Sequence, residues 1–186
     1  MTEYTDVMID LETTGTAPEH TAIIQIAAVR FNLDTQAIDH NFFNQCLAIP
    51  DTRRWDEDTR QWWLKMRPVL EGIYSRMEQP AKVMGDFYWW LGGPSCQLRM
   101  WAKPLSFEYP FVQSYFKEFG PSMPLDFRKG RDLRSFIGGL NYPYSSFDEK
   151  SVPFEGIPHD ALFDTLHQVK VLFSAINAPK QQLIEG

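Results

Sequence analysis

Tyr4-Thr5-Asp6-Val7-Met8-Ile9-Asp10-Leu11-Glu12-Thr13-Thr14-Gly15 opens as an apolar run and ends on two acids and a glycine-closed turn. Residues 4–11 read as a β-strand bounded by a turn signal. Side chains at i and i+2 of a strand share a face. Asp10 and Glu12 therefore project together, with Ile9 and Leu11 turned the other way, toward a core. Two like charges so close repel, and a hard divalent cation with oxygen ligands is their natural partner. Spacing alone equally admits a strand end carrying two solvated acids.

Residues 22–31 and 40–49 are apolar in the same manner, and the connections over 12–21 and 32–39 are short. An antiparallel three-strand meander is the economical arrangement. The pattern then turns helical. A helix is expected over 58–66, stopped by Pro68, and another over 81–91, ended by Gly92 and Gly93. A short strand is expected over 97–103. The next helix, over 106–119, has Ser106 as its N-cap, Pro110 near its first turn and Gly120 at its stop. A short helix over 131–137, ended by Gly138 and Gly139, a loop over 141–158, and a last long helix over 160–176 complete the chain. Strands first, then helices with interspersed strands, predict an α/β fold with a mixed sheet flanked by helices. One domain over 1–179 and a tail over 180–186 are expected.

At 186 residues, 44% of them hydrophobic and 23% charged, the composition is that of a globular chain and excludes disorder or coiled coil as the main state. The net charge of −6 argues against coating nucleic acid by bulk positive charge. It does not exclude an enzyme acting on nucleic acid, because carboxylates that hold cations make the sequence look more acidic than the working site. No apolar run approaches the roughly 18 residues that span a bilayer, so no membrane partner is expected. The first residues have neither the basic nor the apolar segment of a signal peptide. Cys46 and Cys96 supply neither a disulfide framework nor a zinc site. A cytoplasmic protein is expected.

A second group of titratable residues lies far along the chain, in His159-Asp160-Ala161-Leu162-Phe163-Asp164. Positions i and i+5 of a helix do not share a face, whereas Asp160, Asp164 and His167 do. His159 can converge with Asp164 only if it precedes the settled helix, which Pro153 and Pro158 favour. The alternative is that His159 and Asp160 merely cap the helix.

Asp10-x-Glu12 followed by Thr13-Thr14-Gly15 resembles the first motif of the DEDD superfamily of 3′-to-5′ exonucleases, and His159-x4-Asp164 resembles the third motif of its histidine-bearing DEDDh subgroup. Trp101-Ala102-Lys103-Pro104-Leu105-Ser106-Phe107-Glu108 occupies the place of the second motif, with Glu108 where similar proteins have Asp. Thr59-Arg60-Gln61-Trp62-Trp63 is similar to the branch near the mycobacterial-type 3′-to-5′ exoribonucleases and phage exonuclease A.

The resemblance implies an RNase H-like fold and hydrolysis of phosphodiester bonds from a 3′ end, with two divalent ions, Mg²⁺ or Mn²⁺, and release of nucleoside 5′-monophosphates. It implies Asp10, Glu12, Glu108 and Asp164 as metal ligands and His159 as general base. Thr13, Thr14 and Gly15 would hold the terminal sugar through backbone N–H groups, and Phe107 and Trp62 would stack on bases. The partner would be RNA or DNA with a free 3′ end, single-stranded by expectation, and the assembly a homodimer. The Glu at 108 admits an alternative, a binding module that keeps the fold with weakened chemistry. Trp62, Trp63, Trp89 and Trp90 also suit core or an interaction surface, and Arg128, Lys129, Arg131 and Arg134 either guide phosphates or form a solvated face.

Overall fold

Strand β1 (Asp6–Thr13) alternates strictly, with Val7, Ile9 and Leu11 on one face and Met8, Asp10 and Glu12 on the other. It is described, with the rest of residues 4–141 and 147–179, in a computed structural model; the expected tail over 180–186 and part of the loop over 141–158 lie outside the described residues. Strands β2 (Ile23–Phe31) and β3 (Phe43–Leu47) complete the antiparallel meander. Strands β4 (Met77–Glu78), β5 (Arg99–Ala102) and β6 (Arg131–Asp132) extend it in the order β4-β3-β2-β1-β5-β6, each joining in parallel.

The helices are α1 (Glu57–Trp63), α2 (Arg67–Tyr74), α3 (Pro80–Trp90), α4 (Leu105–Phe119), α5 (Leu133–Asn141) and α6 (Ala161–Asn177). Val7, Ile9 and Leu11 pack with Met84, Phe87, Phe111 and Phe116 of α3 and α4. Met8 packs on the other face with Trp101, Leu133, Val169 and Leu172, under α5 and α6. The acid-bearing face of β1 is thus also covered, as in a sheet whose central strand is enclosed on both sides. Buried Asp6 ties β1 to β5. It accepts from Arg99 Nε at 2.8 Å, Arg99 Nη2 at 2.6 Å and Trp101 Nε1 at 2.7 Å.

Three local expectations are corrected. Pro68 does not end the helical region. After a 3-10 turn at Leu64–Met66, it sits in the first turn of α2, where its missing N–H costs nothing. Ser106 is not the cap of α4. The helix starts at Leu105, whose N–H donates to Asp132 Oδ2 at 2.8 Å, a cap from another element that no local pattern reveals. Residues 131–132 are strand rather than helix, and α5 runs through Gly138 and Gly139 to Asn141. Burial of Leu133 and Ile137 outweighs the roughly 1 kcal/mol each glycine costs in a helix.

Candidate active site

The site begins at the C-terminal end of β1. Asp10 is buried and Glu12 half-buried, and a register irregularity falls between Glu12 and Thr13. Opposite Glu12 in the β1–β2 ladder is Gln25. Its Nε2 donates to Asp160 Oδ1 at 3.1 Å and to Asn44 Oδ1 at 3.0 Å, and its Oε1 accepts from Ala161 N at 3.2 Å. One amide from β2 therefore pins the first turn of α6. Asp160 is the N-cap, accepting from Leu162 N at 3.1 Å. Asp164 follows one turn later on the same face.

His159 lies before the helix at φ 63°, a left-handed conformation that costs a non-glycine residue about 1 kcal/mol. Its N–H donates to Asp164 Oδ2 at 2.9 Å, which holds the bend. Ligand atoms of Glu12, His159 and Asp164 all lie within 4.8 Å of one another. Asp10 is held from α6 by Gln168, whose Nε2 donates to Asp10 Oδ1 at 2.7 Å. Glu108, in the first turn of α4, is 3% exposed, and its Oε2 has no hydrogen-bond partner.

The electrostatics follow from this crowding. Burial first, and Asp10 second, push the Glu108 carboxyl up to about 9. Burial and Asp164 raise Asp10 against the Gln168 hydrogen bond. Burial, then Asp10 and Asp164, hold Glu12 well above the usual carboxylate range. Asp164 is raised by burial, with the His159 N–H working against it. Four mutually repelling carboxyls, one with an unpartnered buried oxygen, form a donor set of hard oxygens that fits a divalent cation; the His159 imidazole stands beside them.

The structure brings Asp10, Glu12, Glu108, His159 and Asp164 to one place. The other expected residues divide. Trp62 is half-buried, its ring edge-on to His159 with centroids 4.8 Å apart and planes at 89°. Phe107 is half-buried and leans on Phe111, centroids 5.0 Å apart. Thr14 is corrected: it is wholly buried, its N–H donates to Ala22 O at 2.8 Å, and its hydroxyl is used by Ala22 N and Arg54 O. Nothing is left on its N–H for a sugar. Thr13 Oγ1 donates to Gly15 O at 2.7 Å. Gly15 is required by its own scaffold, because a Cβ there would lie 2.5 Å from Thr21 Cγ2 and 2.7 Å from Asp56 Cβ.

Trp63 is buried and donates to Thr13 O at 3.0 Å, so the tryptophan pair is not an exposed patch. Trp90 donates to Asn41 O, while Trp89 is 70% exposed. Gln168 and Gln25 escaped sequence reasoning. Gln168 could have been found as the residue one turn after Asp164 on the same helical face; Gln25 required the strand register.

The sequence profile of the family described as the 3′-5′ exoribonuclease Rv2179c-like domain matches residues 5–176. No curated protein matches significantly in sequence. Among solved structures, cell-death related nuclease 4 superposes on 95% of this chain with a TM-score of 0.63 at 17% identity. Exonuclease I without ligand gives 0.70 over 95% at 15% identity. E. coli Exonuclease I in complex with a dA16 oligonucleotide gives 0.70 over 95% at 15% identity. The matches cover 66% of the first of these proteins, and 43% and 41% of the other two chains. At such identities the likeness shows a shared exonuclease fold.

Proposed function

The chain belongs to the Rv2179c-like 3′-5′ exoribonuclease domain family; from that premise we propose that it is a 3′-5′ exonuclease, shortening a single strand from its free 3′ end, one nucleoside 5′-monophosphate at a time, using two divalent ions and His159 as base. The observation that carries this reading is convergence. Segments around residues 10, 108 and 160, remote in sequence, meet as four carboxyls and one imidazole.

Asp10, Glu12 and Asp164 would hold one ion, with Asp10 shared and Glu108 serving the other; Mg²⁺ and Mn²⁺ both suit oxygen donors. When bound, the ions stabilise the attacking and leaving oxygens of an in-line displacement. The chain's own groups do the rest. The His159 imidazole takes the proton of the attacking water as general base. Asp164 fixes the backbone of His159 through the 2.9 Å hydrogen bond, and the Trp62 ring limits its imidazole on one side. Gln168 holds the Asp10 carboxyl through the 2.7 Å hydrogen bond from its Nε2. Phe107 and Trp62 stack on the terminal base, and backbone at Thr13 and Gly15 borders the terminal sugar.

Glu108 in place of Asp does not require the inactive-module alternative, because its carboxyl is buried in the range of Asp10. A 5′-labelled RNA and its DNA counterpart, each with Mg²⁺ or Mn²⁺, test the reading. A ladder that shortens from the 3′ end with release of nucleoside 5′-monophosphates is expected. Intact strands under all four conditions end it. A silent wild type that becomes active as Glu108→Asp would establish the binding-module alternative.

A further inference from the structure

Arg128, Lys129, Arg131 and Arg134 form the basic group of this acidic chain, and the structure separates them. Arg128 is turned onto Asp126, with Nη2 to Oδ2 at 3.0 Å. Lys129 Nζ donates to Gln97 Oε1 at 2.7 Å, and Arg131 Nη1 to Gly130 O at 2.9 Å. Arg134, exposed on the first turn of α5, makes no hydrogen bond or ion pair among the described residues. It borders a groove of about 620 Å³ between the starts of α4 and α5, lined also by Leu105, Tyr109, Phe127 and Ser135.

Two features make the groove unlike ordinary surface. Phe127 is 70% exposed on a 3-10 turn at its rim. The Arg128 guanidinium lies over the Phe127 ring, 5.8 Å from its centroid, and an exposed aromatic with cations about it is the pairing that single-strand binders use, a base on the ring and a phosphate on the cation. The acid in the groove, Asp132, is already committed, accepting from Leu105 N at 2.8 Å and from Ser135 N at 2.7 Å. Its charge caps two helices and opposes an incoming phosphate less than a free carboxylate would. The groove also adjoins the turn of α4 that carries Glu108. Leu105 and Tyr109 flank Glu108 on the same turn of α4, and Arg134 is near enough to act on the Glu108 carboxyl.

The geometry points to this groove as a subsite for a nucleotide of the substrate strand beyond the 3′-terminal one, its base on Phe127 and Tyr109 and its phosphate on Arg134. The inference rests on the nuclease reading and adds to it where the strand runs: away from Glu108 across the start of α4 toward α5. In a molecule of net charge −6, a single unpaired cation placed there guides a polyanion past an acidic centre.

The test is the affinity of the full chain for a 5′-fluorescein single strand of about ten nucleotides, by anisotropy in chelator, with salt varied. Arg134→Ala is expected to weaken binding about tenfold and to reduce the slope of log Kd against log salt by about 0.7, one phosphate contact on a single strand. Phe127→Ala is expected to weaken it about fivefold or more with the salt slope unchanged, as loss of stacking does. Arg67→Ala, which removes the same charge from exposed α2, controls for net charge and should bind like wild type. An active wild type whose affinity and salt slope survive Arg134→Ala and Phe127→Ala overturns the groove and leaves the nuclease reading standing. Equal losses from Arg134→Ala and Arg67→Ala also overturn it, as a bulk charge effect. A wild type that neither binds nor shortens any strand overturns both.

Discussion

Glu108 shows most clearly how burial holds a proton on a carboxyl of the site. Its carboxyl ionises near 4.5 in an unfolded chain and is pushed up to about 9 in the folded one, by burial and then by Asp10. The folded state therefore binds a proton that the unfolded state has lost, so stability declines as pH rises through that window. In metal-free protein, Glu108→Gln should melt at the same temperature as wild type near pH 4, where both side chains are neutral. It should melt higher near pH 9, where only wild type carries the buried charge. A thermal melt series in chelator checks this; a constant difference across the range contradicts the assignment. His159→Ala should slow hydrolysis by about 10²–10⁴, the scale of a lost general base, with an unchanged circular dichroism spectrum; an unaltered rate moves the base elsewhere. His167 is the neighbouring imidazole, though it packs on Phe154 and burial lowers its pKa. Asp10, Glu12 and Asp164 were legible in sequence because strand period and motif spacing are local. Gln168 shows its place only as the residue one turn after Asp164; its partner, 158 residues away, left no local signal.

At the scale of elements, the start of α6 decides whether Glu12, His159 and Asp164 meet. Pro158 and the Asp160 cap were legible as a helix start, and the reasoning that His159 must precede the settled helix agrees with its φ of 63°. The anchor was hidden, because Gln25 reaches Asp160 only through the pairing of β2 with β1. Gln25→Leu should therefore lower activity more than it lowers stability, by leaving the Ala161 N–H and the Asp160 carboxylate short of a partner; equal activity at equal folded fraction would refute the anchor. The turn after β1 is the other rigid element. Gly15→Ala would drive a methyl into Thr21 and Asp56, and a cost of about 1–3 kcal/mol is expected from overpacking, read as a lower denaturant midpoint. The helix ends misread at Pro68 and Ser106 share a cause. A proline suits a first turn as well as a stop, and a cap can come from a distant residue such as Asp132.

For the whole molecule, sheet order matters more than any single contact. Placing β1 centrally, between β2 and β5, lets α6 deliver Asp164 from one face while α4 delivers Glu108 from its start beyond β5. Meander and helix faces were readable from apolar periodicity; the two-residue strands β4 and β6 were not, because so short a pairing leaves no period to detect. No helix among the described residues is long and apolar enough to cross a membrane. Gathering four carboxyls costs stability that bound cations would return, so Mn²⁺ should raise the melting temperature of wild type far more than that of Asp10→Asn. Hydrolysis depends above all on those acids acting together. The direct measurement is the rate at which a 5′-labelled single strand is shortened in Mn²⁺ by wild type and by folded Asp10→Asn. Wild type should produce a 3′-shortening ladder that chelator stops, and Asp10→Asn should produce none; equal ladders from the two proteins would contradict it.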